Sequence, residues 1–302
     1  MSASTEQAPE QRLRLAIQKS GRLSDGSFDL LKQCGLTISR GRDKLYGRAQ
    51  EMPIDVLLVR DDDIPAFVAD GACDIGIVGE NVAEEDRLTS DRAENAETVR
   101  KLGFSRCRLM LAGPKEWGDE AISALNGVRI ATSYPGLTRR FLETRSIKAS
   151  TVTMKGSVEV APRLRIGDAV CDIVSTGATL EANGLKPVAT VFDSEAVLIR
   201  RAGEMTASKK NIFNAFLKRI DGVIASRDAK YVMMNAPRSA IAAISQILPG
   251  SEAPTVLELA GRGDMVAIHA VCREDVFWST LERLKSNGAS AILVLPIEKM
   301  MA

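Results

Sequence analysis

The sequence holds one histidine, two tryptophans and three tyrosines among 302 residues. With a single imidazole, Ser-His-Asp and Cys-His relays are nearly excluded, and histidine-based metal clusters with them. His269 sits in the apolar run Met265 to Val271 and reads as a structural strand residue. The five cysteines, Cys34, Cys73, Cys107, Cys171 and Cys272, are odd in number and scattered. They form no Cys-x-x-Cys pair for zinc or a redox disulfide, and a reducing compartment fits them best. Net charge is also missing: 40 basic against 39 acidic residues leave +1, so no global field draws the chain onto nucleic acid or an anionic membrane. No apolar run approaches the roughly 20 residues that cross a bilayer. The first residues lack the basic start and apolar stretch of a secretory signal. These absences predict a cytoplasmic protein with no nucleic-acid or membrane partner and a disordered tail over residues 1–12. Any anion binding has to be local.

What is present is 45% apolar content over a length that suits two or three packed domains. Apolar runs alternate with amphipathic segments, the pattern of a mostly parallel α/β sheet. The first lobe reads as a strand at Leu13 to Ile17, a turn at Lys19 to Arg22 and a helix from Ser24 that Gly35 stops. A strand at Asp55 to Val59, a helix at Asp62 to Asp70 and a strand at Cys73 to Val78 follow. The second lobe reads as strand Val128 to Thr132, helix Pro135 to Thr144 opened by proline, strand Thr151 to Met154 and helix Ser157 to Ile166. Strand Ala169 to Val174 and a helix ended by Gly184 complete it. Extended segments from Lys186 to Arg201 return the chain to the first lobe, and the amphipathic helix Met205 to Arg227 belongs to the same catalytic part. The expected boundaries are residues 13–104 and 187–227 for lobe I and 105–186 for lobe II. Residues 228–302 then read strand, helix, strand, strand, helix, strand, a ferredoxin-like order.

The stretch Asp168 to Glu181 carries the most chemistry. A buried strand brings Asp172 to a Ser175-Thr176-Gly177-Ala178-Thr179 turn that opens a helix, where outward amides and hydroxyls suit a phosphate. Asp172 would repel that phosphate and suits ribose hydroxyls instead. Upstream, Glu159 stands ready to join it on the ribose diol, with or without a metal. Each feature has a plainer reading: Thr176 as an N-cap, Glu159 as a first-turn acid favoured by the helix dipole. The turn Lys19, Gly21, Arg22, Leu23 offers two cations to a nucleotide's phosphates, or is simply a solvated turn. In Asp74-Ile-Gly76-Ile-Val-Gly79-Glu80-Asn81 the glycines permit close ligand approach, and packing alone is the alternative for Gly76.

Together these residues resemble ATP phosphoribosyltransferase of the long, self-regulated form, the first enzyme of histidine biosynthesis. Nine stretches in order carry the resemblance: Leu15 to Ser24, Met52 to Asp55, Arg60 to Pro65, Asp74 to Asn81, Arg129 to Pro135, Gly156 to Pro162, Asp168 to Gly184, Tyr231 to Met234 and Ala291 to Lys299. The resemblance implies a two-lobed catalytic part like type II periplasmic binding proteins, plus a C-terminal, ACT-like regulatory domain. It implies Mg²⁺-dependent transfer of phosphoribose from phosphoribosyl pyrophosphate to N1 of ATP. By similarity, Ser175, Thr176, Gly177, Ala178, Thr179 and Leu180 bind the 5′-phosphate, and Glu159 and Asp172 hold the ribose. Lys19, Gly21, Arg22, Leu23 and Asp74 complete the substrate site, with Arg22, Glu159 and Asp172 catalytic; the metal's direct ligands stay open. Asn235, Ser251, Ala253, Thr255, Val271 and Ala291 are implied to bind L-histidine as inhibitor, in a homo-oligomer between dimer and hexamer. Asn235 departs from the aspartate of some relatives. A two-lobed solute-binding module is the competing class, which the missing secretory signal and the phosphate turn with its paired carboxylates disfavour.

Overall fold

A computed structural model describes residues 11–40, 45–120, 122–174, 178–248 and 253–300. The chain divides into two compact units, Met1–Phe213 and Asn214–Ala302. In the first, the chain runs through β1 (Leu13–Gln18), α1 (Arg22–Gln33), β2 (Ile38–Arg40), β3 (Tyr46–Ala49), β4 (Ile54–Val59), α2 (Ile64–Ala69), β5 (Ile75–Gly79), α3 (Glu80–Thr89) and β6 (Ala96–Lys101). It continues through β7 (Cys107–Pro114), β8 (Arg129–Thr132), α4 (Pro135–Thr144), β9 (Ser150–Thr153), β10 (Ala169–Val174), α5 (Ala178–Ala182), β11 (Leu185–Ser194) and β12 (Ala196–Arg201), and ends within α6 (Ala207–Ser226).

Two sheets result. The lobe I sheet has the order β2-β3-β4-β1-β5-β12-β6, with β1 parallel to β4 and β5; the lobe II sheet has the order β11-β7-β10-β8-β9, with β8 parallel to β9 and β10. Central strands such as β1 and β5 are buried on both faces and so read as continuous apolar runs. Their side chains meet α2 in a core built on Ala16, Ile64, Val68, Val78, Val197 and Ile199. Gly76 is explained here by packing, since a Cβ would lie 2.6 Å from Ile64 Cγ2.

Several expectations are corrected. Arg12 does not belong to a disordered tail: it is 9% exposed and its Nε donates to Asp55 at 2.6 Å; residues 1–10 lie outside the described residues. No helix spans Ser157 to Ile166; a single 3₁₀ turn, Val158–Val160, stands there. Pro162 has no N–H to continue a ladder, and Arg165 at φ 56° leaves the helical region. Residues 187–194 do not return to lobe I, because β11 pairs antiparallel with β7 from Leu185 to Ser194, and the crossing comes at Glu195. The division between units also falls inside α6 and not at residue 228. The strands β2, β3, β6 and β7 and the helix α3 escaped the reading. β6, for example, is Ala-Glu-Thr-Val-Arg-Lys on a sheet edge, and no residue of it is fully buried.

The second unit contains β13 (Ala229–Pro237), α7 (Ile241–Ile247), β14 (Thr255–Leu259), β15 (Arg262–Arg273), α8 (Glu274–Ser286) and β16 (Ser290–Pro296). Its sheet order, β14-β15-β13-β16 with every pair antiparallel, is ferredoxin-like as expected. Val232, Met234, Val266 and Ile268 point to the helix side and pack with Ile244, Phe277 and Leu284. The alternate residues Tyr231, Met233, Asn235, Val271 and His269 face away from that core. His269 is a strand residue, with Nδ1 at 2.6 Å from the Tyr231 hydroxyl. Among the described residues no helix is long and apolar enough to cross a membrane.

Candidate active site

The two lobes of the first unit are joined by adjacent crossings. Ala196 N–H donates to the Phe104 carbonyl at 2.9 Å, Leu102 N–H donates to Ala196 at 2.8 Å, and Cys107 lies opposite Ser194. Beside them opens a cleft of about 580 Å³ that Arg22, Lys101, Arg106 and Arg108 line with positive charge, facing Glu80, Asp193 and Glu195. Arg22 arrives at the carboxyl edge of β1, where the backbone turns through Gly21 at φ 96°, a conformation glycine adopts without strain. Val174, the last residue of β10, lines the same cleft. The lobe I turn and the root of the expected phosphate turn therefore meet at one place. Ser175, Thr176 and Gly177 themselves lie outside the described residues.

Asp172 stands two residues before that edge. Burial pushes its carboxyl above the ordinary carboxylate range; the Ile173 N–H, donating at 2.8 Å, works the other way, and the Glu159 charge adds to the rise. Glu159 stands on the nearby 3₁₀ turn Val158–Val160, which Gly156 at φ 105° and Ser157 at φ 50° lead into. Among the described residues no cation pairs with Asp172. A half-buried carboxylate beside another, without a counter-charge, is a cost that a polyhydroxyl or metal-bearing ligand relieves.

The other expected residues divide. Lys19 is exposed on the β1 edge with its N–H held by the Val59 carbonyl at 2.8 Å, and Leu23 is partly buried on α1. Thr179 is exposed on α5, whereas the Leu180 side chain belongs to the lobe II core with Met110, Val158 and Val174. α5 has five residues, too short for a sizeable dipole. Asp74 is a correction. It precedes β5, a full strand length of about 16 Å from the carboxyl edge, and its carboxylate is engaged by Lys209 Nζ at 2.7 and 2.9 Å and by Arg14 N–H at 2.8 Å. Asp168 repeats this tie in lobe II, accepting from Arg129 N–H at 2.9 Å before β10 begins.

The sequence reading missed a set of residues that bridge the lobes. Asn81 Nδ2 donates to the Tyr134 hydroxyl at 2.9 Å, and Ser194 Oγ joins Asn81 from behind. Glu85 of α3 accepts the N–H groups of Gly136 and Leu137 at the start of α4. Arg140 of α4 also pairs with Glu84 of α3. Their only signal was position: Tyr134 precedes the helix-opening Pro135, and Asn81 follows the strand end at Gly79.

In the second unit, Asn235, Thr255 and Val271 take neighbouring places on the sheet: Thr255 lies opposite His269, Val271 opposite Tyr231, and Asn235 beside Ala267 and Ser290. Ala253 is exposed just before β14, and Ala291 sits on β16 at φ 47°. Ser251 lies outside the described residues.

Comparison with known proteins agrees with this architecture. A family model described as ATP phosphoribosyltransferase matches residues 60–222, and one described as its C-terminal domain matches residues 226–299. A curated protein of Maricaulis maris named ATP phosphoribosyltransferase is 56% identical over 291 residues, 96% of this chain and 99% of that one. Among solved structures, the ATP phosphoribosyl transferase (HisG:HisZ) complex from Thermotoga maritima matches with a TM-score of 0.56 at 27% identity, covering 69% of this chain and 98% of that chain.

Proposed function

This chain belongs to the ATP phosphoribosyltransferase family, and we propose that the cleft between Arg22 and Val174 is where its substrates react. The enzyme catalyses the first step of histidine biosynthesis, moving phosphoribose from phosphoribosyl pyrophosphate to N1 of ATP and releasing pyrophosphate. The observation that carries the assignment of the cleft is Asp172, a partly buried carboxylate near Glu159, with no cationic partner among the described residues, close to the end of the strand that enters the expected phosphate turn.

Asp172 and Glu159 accept the ribose hydroxyls, and the residue 175–180 turn donates amides and hydroxyls to the 5′-phosphate. Arg22, with Lys19 beside it, neutralises nucleotide and diphosphate oxygens; Arg106 and Arg108 enlarge the same positive wall. The leaving group is already a stable anion, so positioning and charge neutralisation lower the barrier without a strong general base. A chain with one histidine, placed in the other unit, meets that requirement.

The family is metal-dependent. Among the described residues no group of three or more acidic, histidine or cysteine side chains forms a cage. Two carboxylates fit Mg²⁺ nonetheless, because that ion keeps much of its water and is commonly held by one or two carboxylates together with substrate phosphates. Asp172 and Glu159 are the residues that would hold it, and the bound ion would supply charge neutralisation to the diphosphate.

Asn235, Ala253, Thr255, Val271 and Ala291 of the second unit, with Ser251, form the effector site for L-histidine in a cytoplasmic homo-oligomer between dimer and hexamer. An assay with ATP, phosphoribosyl pyrophosphate and Mg²⁺, followed by product absorbance, tests the scheme. Asp172→Asn is expected to abolish most turnover and L-histidine to suppress it; wild-type kcat/KM in Asp172→Asn would remove that residue from the site, and turnover indifferent to histidine would remove the effector role.

A further inference from the structure

Asn81 and Ser194 are 4% and 6% exposed and lie 113 residues apart, yet they are bonded twice. The Ser194 hydroxyl oxygen accepts the Asn81 backbone N–H at 3.0 Å, and its proton goes to Asn81 Oδ1 at 2.7 Å. With Oδ1 occupied, the carboxamide turns its Nδ2 to the Tyr134 hydroxyl at 2.9 Å. Ser194 stands at the crossing, Asn81 in the first turn of α3 in lobe I, and Tyr134 at the head of α4 in lobe II. A phenol oxygen that accepts from a fixed amide has its own proton left to give.

We infer that Asn81, braced by Ser194, is a positioning residue for the phosphoribosyl transfer: it holds the Tyr134 hydroxyl, proton outward, toward the substrate bound at Asp172. The surroundings fit a donor. Burial raises the Tyr134 phenol first, the nearby Asp172 charge raises it further, and Asp61 and Cys107 act in the same sense, against the opposing hydrogen bond from Asn81. Because the phenol oxygen already accepts from Asn81, its own proton is left to donate. Because donor and carboxamide belong to different lobes, the hydroxyl is aligned only at the interlobe separation that brings Arg22 and Val174 to one cleft. A donor fixed in this way, aimed at an oxygen that gains charge as the glycosidic bond breaks, acts on turnover more than on binding. The inference rests on Asp172 as the ribose site.

The test is a double-mutant cycle in the full-length enzyme, with Asn81→Ala, Tyr134→Phe and the pair. Each single change should lower kcat by about 10- to 100-fold while KM for phosphoribosyl pyrophosphate moves less than about threefold. The pair should be no worse than about twofold below the poorer single variant, since both remove one hydrogen bond. If Asn81→Ala costs its full factor again in the Tyr134→Phe background, or leaves kcat within about twofold of wild type, the inference is overturned. Should Asn81→Ala fail to fold, Ser194→Ala is read the same way: a kcat loss that vanishes in Tyr134→Phe supports the relay, and an undiminished one defeats it. A purely structural role would lower thermal stability without this split between kcat and KM. Asp172→Asn at wild-type activity would defeat the ribose assignment alone, and the coupling between Asn81 and Tyr134 would still be read from the cycle.

Discussion

Glu85 caps a helix that it does not belong to. Its carboxylate, on α3 in lobe I, accepts the Gly136 N–H of α4 in lobe II at 2.7 Å, and its other oxygen takes the Leu137 N–H at 2.9 Å. α4 has no side-chain cap of its own, and Pro135 at its first turn offers no N–H, so two orphan donors of one lobe are satisfied by the other.

Glu85→Ala should therefore act on both stability and substrate capture. Loss of the cap is expected to cost about 1–2 kcal/mol, a fall in Tm of roughly 2–8 °C. KM for phosphoribosyl pyrophosphate should rise by about tenfold as the lobes lose their anchor, a 1.4 kcal/mol effect. Calorimetry and steady-state kinetics on the same sample check it; an unchanged Tm would mean the cap contributes nothing to the lobe interface.

Asp172→Asn should trade activity for stability. Because the folded state raises this carboxyl, its favourable contribution is present below the unfolded carboxylate value and is lost as pH rises through the folded one. At pH 8 the ionised side chain is a net cost, so Asp172→Asn should melt higher than wild type there, and the gap should close near pH 4. The same variant should lose about 100-fold or more in turnover. Melting curves at the two pH values decide; a lower Tm at pH 8 would contradict the environment described.

Asp74→Asn should do the reverse. Asp74 and Lys209 form a pair with side chains only 14% and 13% exposed, and removing one charge strands the other. A loss of about 2–4 kcal/mol in urea unfolding is expected, with kcat/KM within about threefold of wild type at temperatures where the variant stays folded. A selective loss of ATP or phosphoribosyl pyrophosphate binding at full stability would return Asp74 to the site.

Thiol labelling maps the cleft. Cys34, Cys73, Cys171 and Cys272 are buried, whereas Cys107 is partly exposed on the cleft wall beside Arg22. A maleimide should modify Cys107 first, slowly at pH 7 because burial raises that thiol, and faster at pH 9. Phosphoribosyl pyrophosphate with Mg²⁺ should protect it. Peptide mapping that finds another cysteine labelled first would refute the placement.

Much of the fold was legible because it is written in local periodicity. β10 and α4 have the residue limits that the sequence suggests, Ala169–Val174 and Pro135–Thr144, since a buried strand is a continuous apolar run and a proline marks the helix start. The strand and helix order of the second unit follows from the same signals, and its sheet pairing agrees with the order that the pattern implied. The site was legible only in part: the sequence pointed to Arg22, which lines the cleft, and to Asp172 and Glu159, whose charges act on one another, but not to the contacts among Asn81, Tyr134 and Ser194.

The amino-acid sequence by itself determined the strands and helices that carry a clear apolar period or a proline start, such as β10 and α4, because hydrophobic period and turn chemistry act over a few residues. It also determined the absence of an imidazole relay. Only the tertiary structure decided that Asp74 and Asp172, each an acid on an apolar strand run, stand at opposite edges of their sheets. Only it decided that residues 185–194 stay in lobe II, and that Asn81, Tyr134 and Ser194 converge. Strand direction, pairing partner and contact across 53 or 113 residues are set by how whole sheets pack, and no local pattern encodes them.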